Sequence, residues 1–158
     1  MFWIEAPSPG RLAIAARPRS DDWLEHEIER WRTASVGIVV SLLEPDEVHD
    51  LRLAAERDLC IKAGLAFLSF PIPDRGVPPS LAKTRDLVAT CRDRLTAGDN
   101  IIVHCRAGIG RSSMIAACVL VALGHHPDEA FERIATARGL PVPDTPEQAE
   151  WVAGFTPA

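Results

Sequence analysis

At 158 residues, with a formal net charge of −5, the chain is the size of one compact domain and has no basic surplus to mark a nucleic-acid surface. Hydrophobic residues at 47% and charged residues at 25% exclude a disordered or fibrous chain. The longest apolar run, MIAACVLVALG, is too short to span a bilayer, so neither nucleic acid nor membrane is expected as a partner.

In chain order, MFWIEAPSPGRLAIAARP has an early acidic residue and prolines and does not read as a secretory signal. It holds two short apolar pieces, near Trp3 and Leu12. DDWLEHEIERWRTAS follows with Trp23, Leu24, Ile28 and Trp31 at helical spacing behind an Asp-rich start. VGIVVSLL reads as a buried strand, residues 46 to 63 as one helical stretch, and LAFLSFPI as a second strand ending in the proline-bounded loop PIPDRGVPPS. A helix over residues 80 to 96 carries Leu81, Leu87, Val88, Cys91 and Leu95 on one side and leads into the strand NIIVHC. Helices follow from near Ile109 or Gly110 to Gly124, over HPDEAFERIATARG, and over TPEQAEWVAGF. Val/Ile-rich strands alternating with helices predict a single α/β domain over residues 1–158, with a mainly parallel central sheet covered by helices on both faces.

The chemistry concentrates in IIVHCRAGIGRSS, residues 101–113. Ligands of open α/β sheets bind beyond the carboxyl ends of the strands, which is where Cys105 falls. Between Cys105 and Arg111 lie Arg106, Ala107, Gly108, Ile109 and Gly110. Two glycines let this loop turn its N–H groups inward as an anion nest, and the next helix adds its positive end. Arg111 can fork two donors onto one phosphate, a geometry lysine cannot reproduce. The same positive surroundings favour the thiolate of Cys105. One cup thus activates a sulfur nucleophile and holds a phosphate, or an analogue such as vanadate or sulfate.

His104, Cys105, Gly108, Arg111 and Ser112, at this spacing, resemble the signature of cysteine-dependent protein tyrosine phosphatases, specifically the small dual-specificity branch, and the stretches flanking it resemble the cyclin-dependent kinase inhibitor 3 type of that branch. FPIPDRGVP and ARGLPVPDTPEQ extend the resemblance over about residues 36 to 155; the first 35 are weakly matched. The resemblance implies that Cys105 attacks phosphorus and forms a phosphocysteine, that Arg111 binds the phosphate, and that Asp74 is the acid and then the base. It implies that Ser112 hydrogen-bonds the thiolate as it leaves and that His104 orients the loop and tunes the thiol through its hydrogen bonds. Gln148 matches a glutamine near the hydrolytic water, and equally an ordinary helix surface. The expected substrate is a phosphorylated protein or peptide, phosphotyrosine first and then phosphoserine or phosphothreonine in a shallow pocket. RNA 5′-phosphates and nucleotides stay open, and inositol lipids rank lower because the loop centre has Ile109 rather than a second lysine.

The remaining candidates have plainer readings. Asp93 falls on a solvated helix face, and Glu47 is read as an exposed helical glutamate rather than a partner for a loop arginine. Cys60, Cys91 and Cys118 read as core thiols, and Trp23, Trp31 and Trp151 as packing aromatics. His125 and His126 are adjacent in a turn and no Cys-x-x-Cys occurs, so neither metal nor cofactor is expected. Four thiols in such a chain predict a reducing, cytoplasmic setting. A phosphate-binding module lacking turnover is the second hypothesis, and sulfur transfer or arsenate reduction the third; arsenate reduction would need partner cysteines at the site, and sulfur transfer would leave Asp74 unexplained.

Overall fold

The computed structural model describes residues 1–158. Five strands form one sheet: β1 (Phe2–Ile4), β2 (Leu12–Ala16), β3 (Val36–Ser41), β4 (Ala66–Ser69) and β5 (Asn100–Cys105), in the order β1-β2-β5-β3-β4. Only the β1–β2 pair is antiparallel. Seven helices pack on it: α1 (Leu24–Thr33), α2 (Pro45–Asp50), α3 (Glu56–Lys62), α4 (Leu81–Thr96), α5 (Arg111–Ala122), α6 (Pro127–Arg138) and α7 (Pro146–Ala153). None is long and apolar enough to cross a membrane.

Alternation along the strands separates two cores. Ile101, Val103 and Cys105 face the larger, built with α4 to α7, while Ile102 joins Ala13, Val39, Ile28, Trp31 and Cys60 under α1 and α3. Helix α5 is buried along nearly its whole length because it lies between the sheet and its neighbours, which suits the unbroken apolar run from Met114 to Ala122.

The two apolar pieces near the N-terminus, which carry no strand pattern of their own, become β1 and β2. LAIAA is Ala-rich and reads as either element. Pairing decides it, since Leu12 to Ala16 lie in parallel register with Ile101 to Cys105.

The stretch predicted as one helix over residues 46–63 is two. Helix α2 ends with Arg52 at φ 55°, the Arg52 N–H donating to His49 O at 3.1 Å and the Leu53 N–H to Val48 O at 2.9 Å. This is a Schellman cap in which arginine holds the left-handed position usually given to glycine, so the usual stop signal is absent. The break turns Leu53 into the core. Two further corrections concern side chains. Trp23 is 55% exposed and Leu81 44% exposed, so neither belongs to the core. Trp23 instead lies under the guanidinium of Arg19, 4.5 Å from the ring centroid, and Thr84 takes the buried position on α4.

Candidate active site

Cys105 ends β5 and Gly110 caps α5, so residues 106–110 span strand to helix at the carboxyl edge of the sheet. Gly108 has φ 68°, and a Cβ there would sit 2.5 Å from Ala15 C and Ala16 N. Both contacts are with backbone, which cannot yield. Gly108→Ala is therefore expected to destabilise the fold by about 2 kcal/mol or more, combining left-handed strain with the clash; a urea midpoint unchanged from wild type would contradict this.

With the loop held in this way, the N–H groups of residues 106–113 find no acceptor anywhere in the protein. The first N–H groups of a helix have no intrahelical partner, and a consecutive run of free ones reaching back through the preceding loop is an arrangement suited to an anion.

Arg111, only 2% exposed, closes the cup. Its Nη1 donates to Glu47 Oε2 at 2.7 Å and to Ile72 O at 3.0 Å. Its Nη2 donates to Glu47 Oε1 at 2.9 Å and to Asp74 Oδ1 at 3.0 Å. The Nε–H has no acceptor in the protein. Burial opposes the charge of Arg111, but Glu47, Cys105 and Asp74 outweigh it and hold the guanidinium more firmly charged than usual. Burial likewise pushes the Glu47 carboxyl up, and the Arg111 fork, the Glu44 N–H and Arg106 more than reverse this, holding it below the ordinary carboxylate range.

The reading of Glu47 as an exposed helical residue is thus corrected: it is buried and forms the bidentate clamp on Arg111. Its place in the first turn of a short helix is one where a glutamate is ordinarily exposed, and here it also accepts from the Glu44 N–H at 2.9 Å.

Of the other sequence candidates, Ser112 Oγ lies 3.4 Å from Cys105 Sγ, and the Asp74 carboxyl reaches Arg111 from a loop position where it is 55% exposed. Arg106 and Ala107 are exposed and Ile109 is half-buried. Gln148 is fully buried, not on a helix surface; its Oε1 accepts from the N–H groups of Asp144 and Thr145, and its Nε2 donates to Gly76 O at 3.0 Å. It ties the start of α7 to the loop carrying Asp74. Across the same rim Arg75 reaches Asp144 at 3.3 Å. The remaining space between Cys105, Asp74, Arg111 and Gln148 is about 20 Å³, room for roughly one water molecule.

His104 is fully buried. As the neighbour of Cys105 on a strand it points to the opposite face, where its Nε2 lies 2.6 Å from Glu56 Oε1 and its ring sits 6.0 Å from that of Trp31. It makes no hydrogen bond to the thiol. Glu56, 2% exposed, was invisible in the sequence because a helical glutamate is ordinarily solvated. Cys60 and Cys91 are held protonated by burial, pushed up to about 12, and Cys118 is raised further by the same cause.

Residues 14–125 match the family Tc-R-P, described as "Polymorphic toxin system, DSP-PTPase phosphatase". The chain belongs to this family. The matched span of this DSP-PTPase chain begins at residue 14, ahead of the region the signature resemblance covered, and takes in the end of β2, the cup, Glu47, Glu56 and Asp74. Cyclin-dependent kinase inhibitor 3 of Rattus norvegicus is 26% identical over 136 residues, 84% of this chain and 63% of that protein. The chain thus spans less than two thirds of that relative's length. A kinase-associated phosphatase whose catalytic-site cysteine is replaced by serine shares the fold at a TM-score of 0.89 and 21% identity, over 98% of this chain and 92% of that one. Tk-PTP in its active form superposes at a TM-score of 0.73 with 28% identity, over 89% and 88% of the two chains.

Proposed function

We propose that this DSP-PTPase chain hydrolyses phosphate monoesters through Cys105, acting on phosphotyrosine and on phosphoserine or phosphothreonine in proteins. The observation that carries the reading is the run of unpaired N–H groups at residues 106–113, closed by the clamped Arg111 around a cysteine sulfur. That run offers donors to the phosphoryl oxygens, and the free Nε–H with Nη2 of Arg111 gives a fork for two of them. Asp74 occupies Nη2 in the structure, so an arriving phosphate displaces it toward the mouth of the cup, where the ester oxygen leaves.

The steps then balance within the site. Cys105 Sγ forms the S–P bond as the ester P–O bond breaks, and Asp74 delivers a proton to the departing oxygen. Water attacks the phosphocysteine, Asp74 takes its proton, and Sγ leaves with the electron pair, supported by Ser112. Inorganic phosphate is released. The four free cysteines support a reducing, cytoplasmic setting.

The deciding measurement is p-nitrophenol release from p-nitrophenyl phosphate in EDTA, with and without orthovanadate. Chelator-resistant, vanadate-sensitive release is the expected result. No release, with a phosphopeptide still bound, would leave a phosphate-binding module in its place.

A further inference from the structure

The largest recess in the molecule, a groove of about 960 Å³, is separate from the cup but built against the same loop. It runs between α1 and the β1–β2 edge, and Arg17, Arg19, Arg30 and Arg138 all line it. The Arg17 N–H donates to Arg106 O at 3.2 Å, and Arg138 Nε donates to Gly108 O at 2.9 Å, so two of its walls are bonded directly to the anion loop.

These four guanidiniums meet a single carboxylate. Glu27 accepts from Arg19 at 2.7 Å and lies 3.5 Å from Arg30. Arg17 donates only to Pro18 O, and Arg138 only to the loop carbonyls of Gly108 and Ala107 while covering the Phe2 ring at 4.3 Å. Glu29, the other acid in the groove, is already held by Arg32 at 2.6 Å. A chain of net charge −5 thus gathers an uncompensated positive strip beside its phosphate site. Such a strip raises the local concentration of anions and selects among them by sign.

We propose that the groove binds an acidic stretch of the phosphorylated peptide, adjacent to the residue whose phosphate enters the cup. The inference rests on the phosphatase reading and adds the substrate class to it. A peptide fits better than a nucleic-acid strand because Glu27 and Glu29 interrupt the arginines, and a strand bearing one charge per nucleotide has no uncharged stretch with which to pass them. Two or three Asp or Glu side chains match the arginines without meeting those acids, and the half-apolar walls of Ala15, Ala16 and Trp31 accommodate their stems.

The test compares three otherwise identical phosphopeptides with acidic, neutral or basic flanks, a 5′-phosphorylated oligonucleotide, and p-nitrophenyl phosphate. Each is assayed on wild type, Arg30→Gln and Arg30→Glu. Arg30 is 74% exposed, so its replacement leaves the fold and the cup alone. Wild type should prefer the acidic peptide in kcat/KM by about two- to fivefold per matched charge, the range of exposed ion pairs. The preference should shrink stepwise in Arg30→Gln and Arg30→Glu and fade at high salt, while p-nitrophenyl phosphate turnover stays within twofold. Equal rates on acidic and basic peptides, an equal loss on every substrate, or an Arg30-dependent preference for the oligonucleotide would each overturn the proposal. Anisotropy of the labelled peptides on Cys105→Ser gives the same ranking without turnover. A failed hydrolase reading, seen as no p-nitrophenol release, is therefore distinguishable from a groove with no charge preference.

Discussion

Cys105→Ser is expected to lower p-nitrophenyl phosphate turnover by about 10⁶-fold, the scale on which losing the nucleophile acts in covalent hydrolases. The hydroxyl is nearly isosteric but keeps its proton, because neither neighbour of the sulfur can take it: Ser112 is a neutral hydroxyl, Arg111 is already charged, and His104 points away to Glu56. Phosphate binding should survive, because the N–H groups of residues 106–113 and the Arg111 fork do not depend on sulfur. Anisotropy with a labelled phosphopeptide, run beside the steady-state assay, separates the two effects. Ordinary turnover in the serine variant would end the phosphocysteine mechanism, and loss of binding together with turnover would show that the cup itself had collapsed.

The second large effect is at Glu47. Its carboxylate takes both Nη groups of Arg111, and both side chains are nearly out of solvent. Glu47→Ala leaves the buried guanidinium with only the half-exposed Asp74 carboxylate, which is destabilising by up to about 3–5 kcal/mol, the range for a broken buried pair, and frees Arg111 to move, so turnover should fall by about 10²-fold. Glu47→Gln keeps an acceptor but not the charge and should lie between. The pH dependence has a definite sign. Because the folded carboxyl is held below its ordinary value of about 4.3, the pair's contribution is complete above that pH and is lost as pH falls through the lower folded value. Urea titrations should therefore show a constant gap between wild type and Glu47→Gln from pH 7 to about pH 5, closing only under stronger acid. A gap that widens on acidification would mean that Glu47 is not the charged partner of Arg111.

Much of the fold could be read from residue pattern alone. β3, β4 and β5, the α4 to α7 series, and the strand-to-helix placement of Cys105 and Arg111 follow from β-branched runs, helical spacing and Gly or Pro stops, and the structure has each of them. These are local signals, in which neighbouring residues constrain one another. β2 was illegible because Ala-rich LAIAA has no period of its own; it is a strand because β5 offers it a partner. The break at Arg52 was missed because an arginine fills a position where sequence reading looks for glycine.

The chain by itself determined what the cup is made of: a strand-end cysteine, two glycines, an arginine and a serine at fixed separations, whose geometry is set within a dozen residues. Tertiary structure alone decided what surrounds them. Glu47, Glu56 and the groove arginines look like solvated charges in any linear reading, because charged residues are usually exposed. Packing α2 against the loop buries Glu47 on Arg111, strand alternation turns His104 onto Glu56, and the β1–β2 edge sets Arg17 and Arg138 beside α1. Burial and charge pairing across 48 and 64 residues of chain depend on how the layers stack, which no local pattern records.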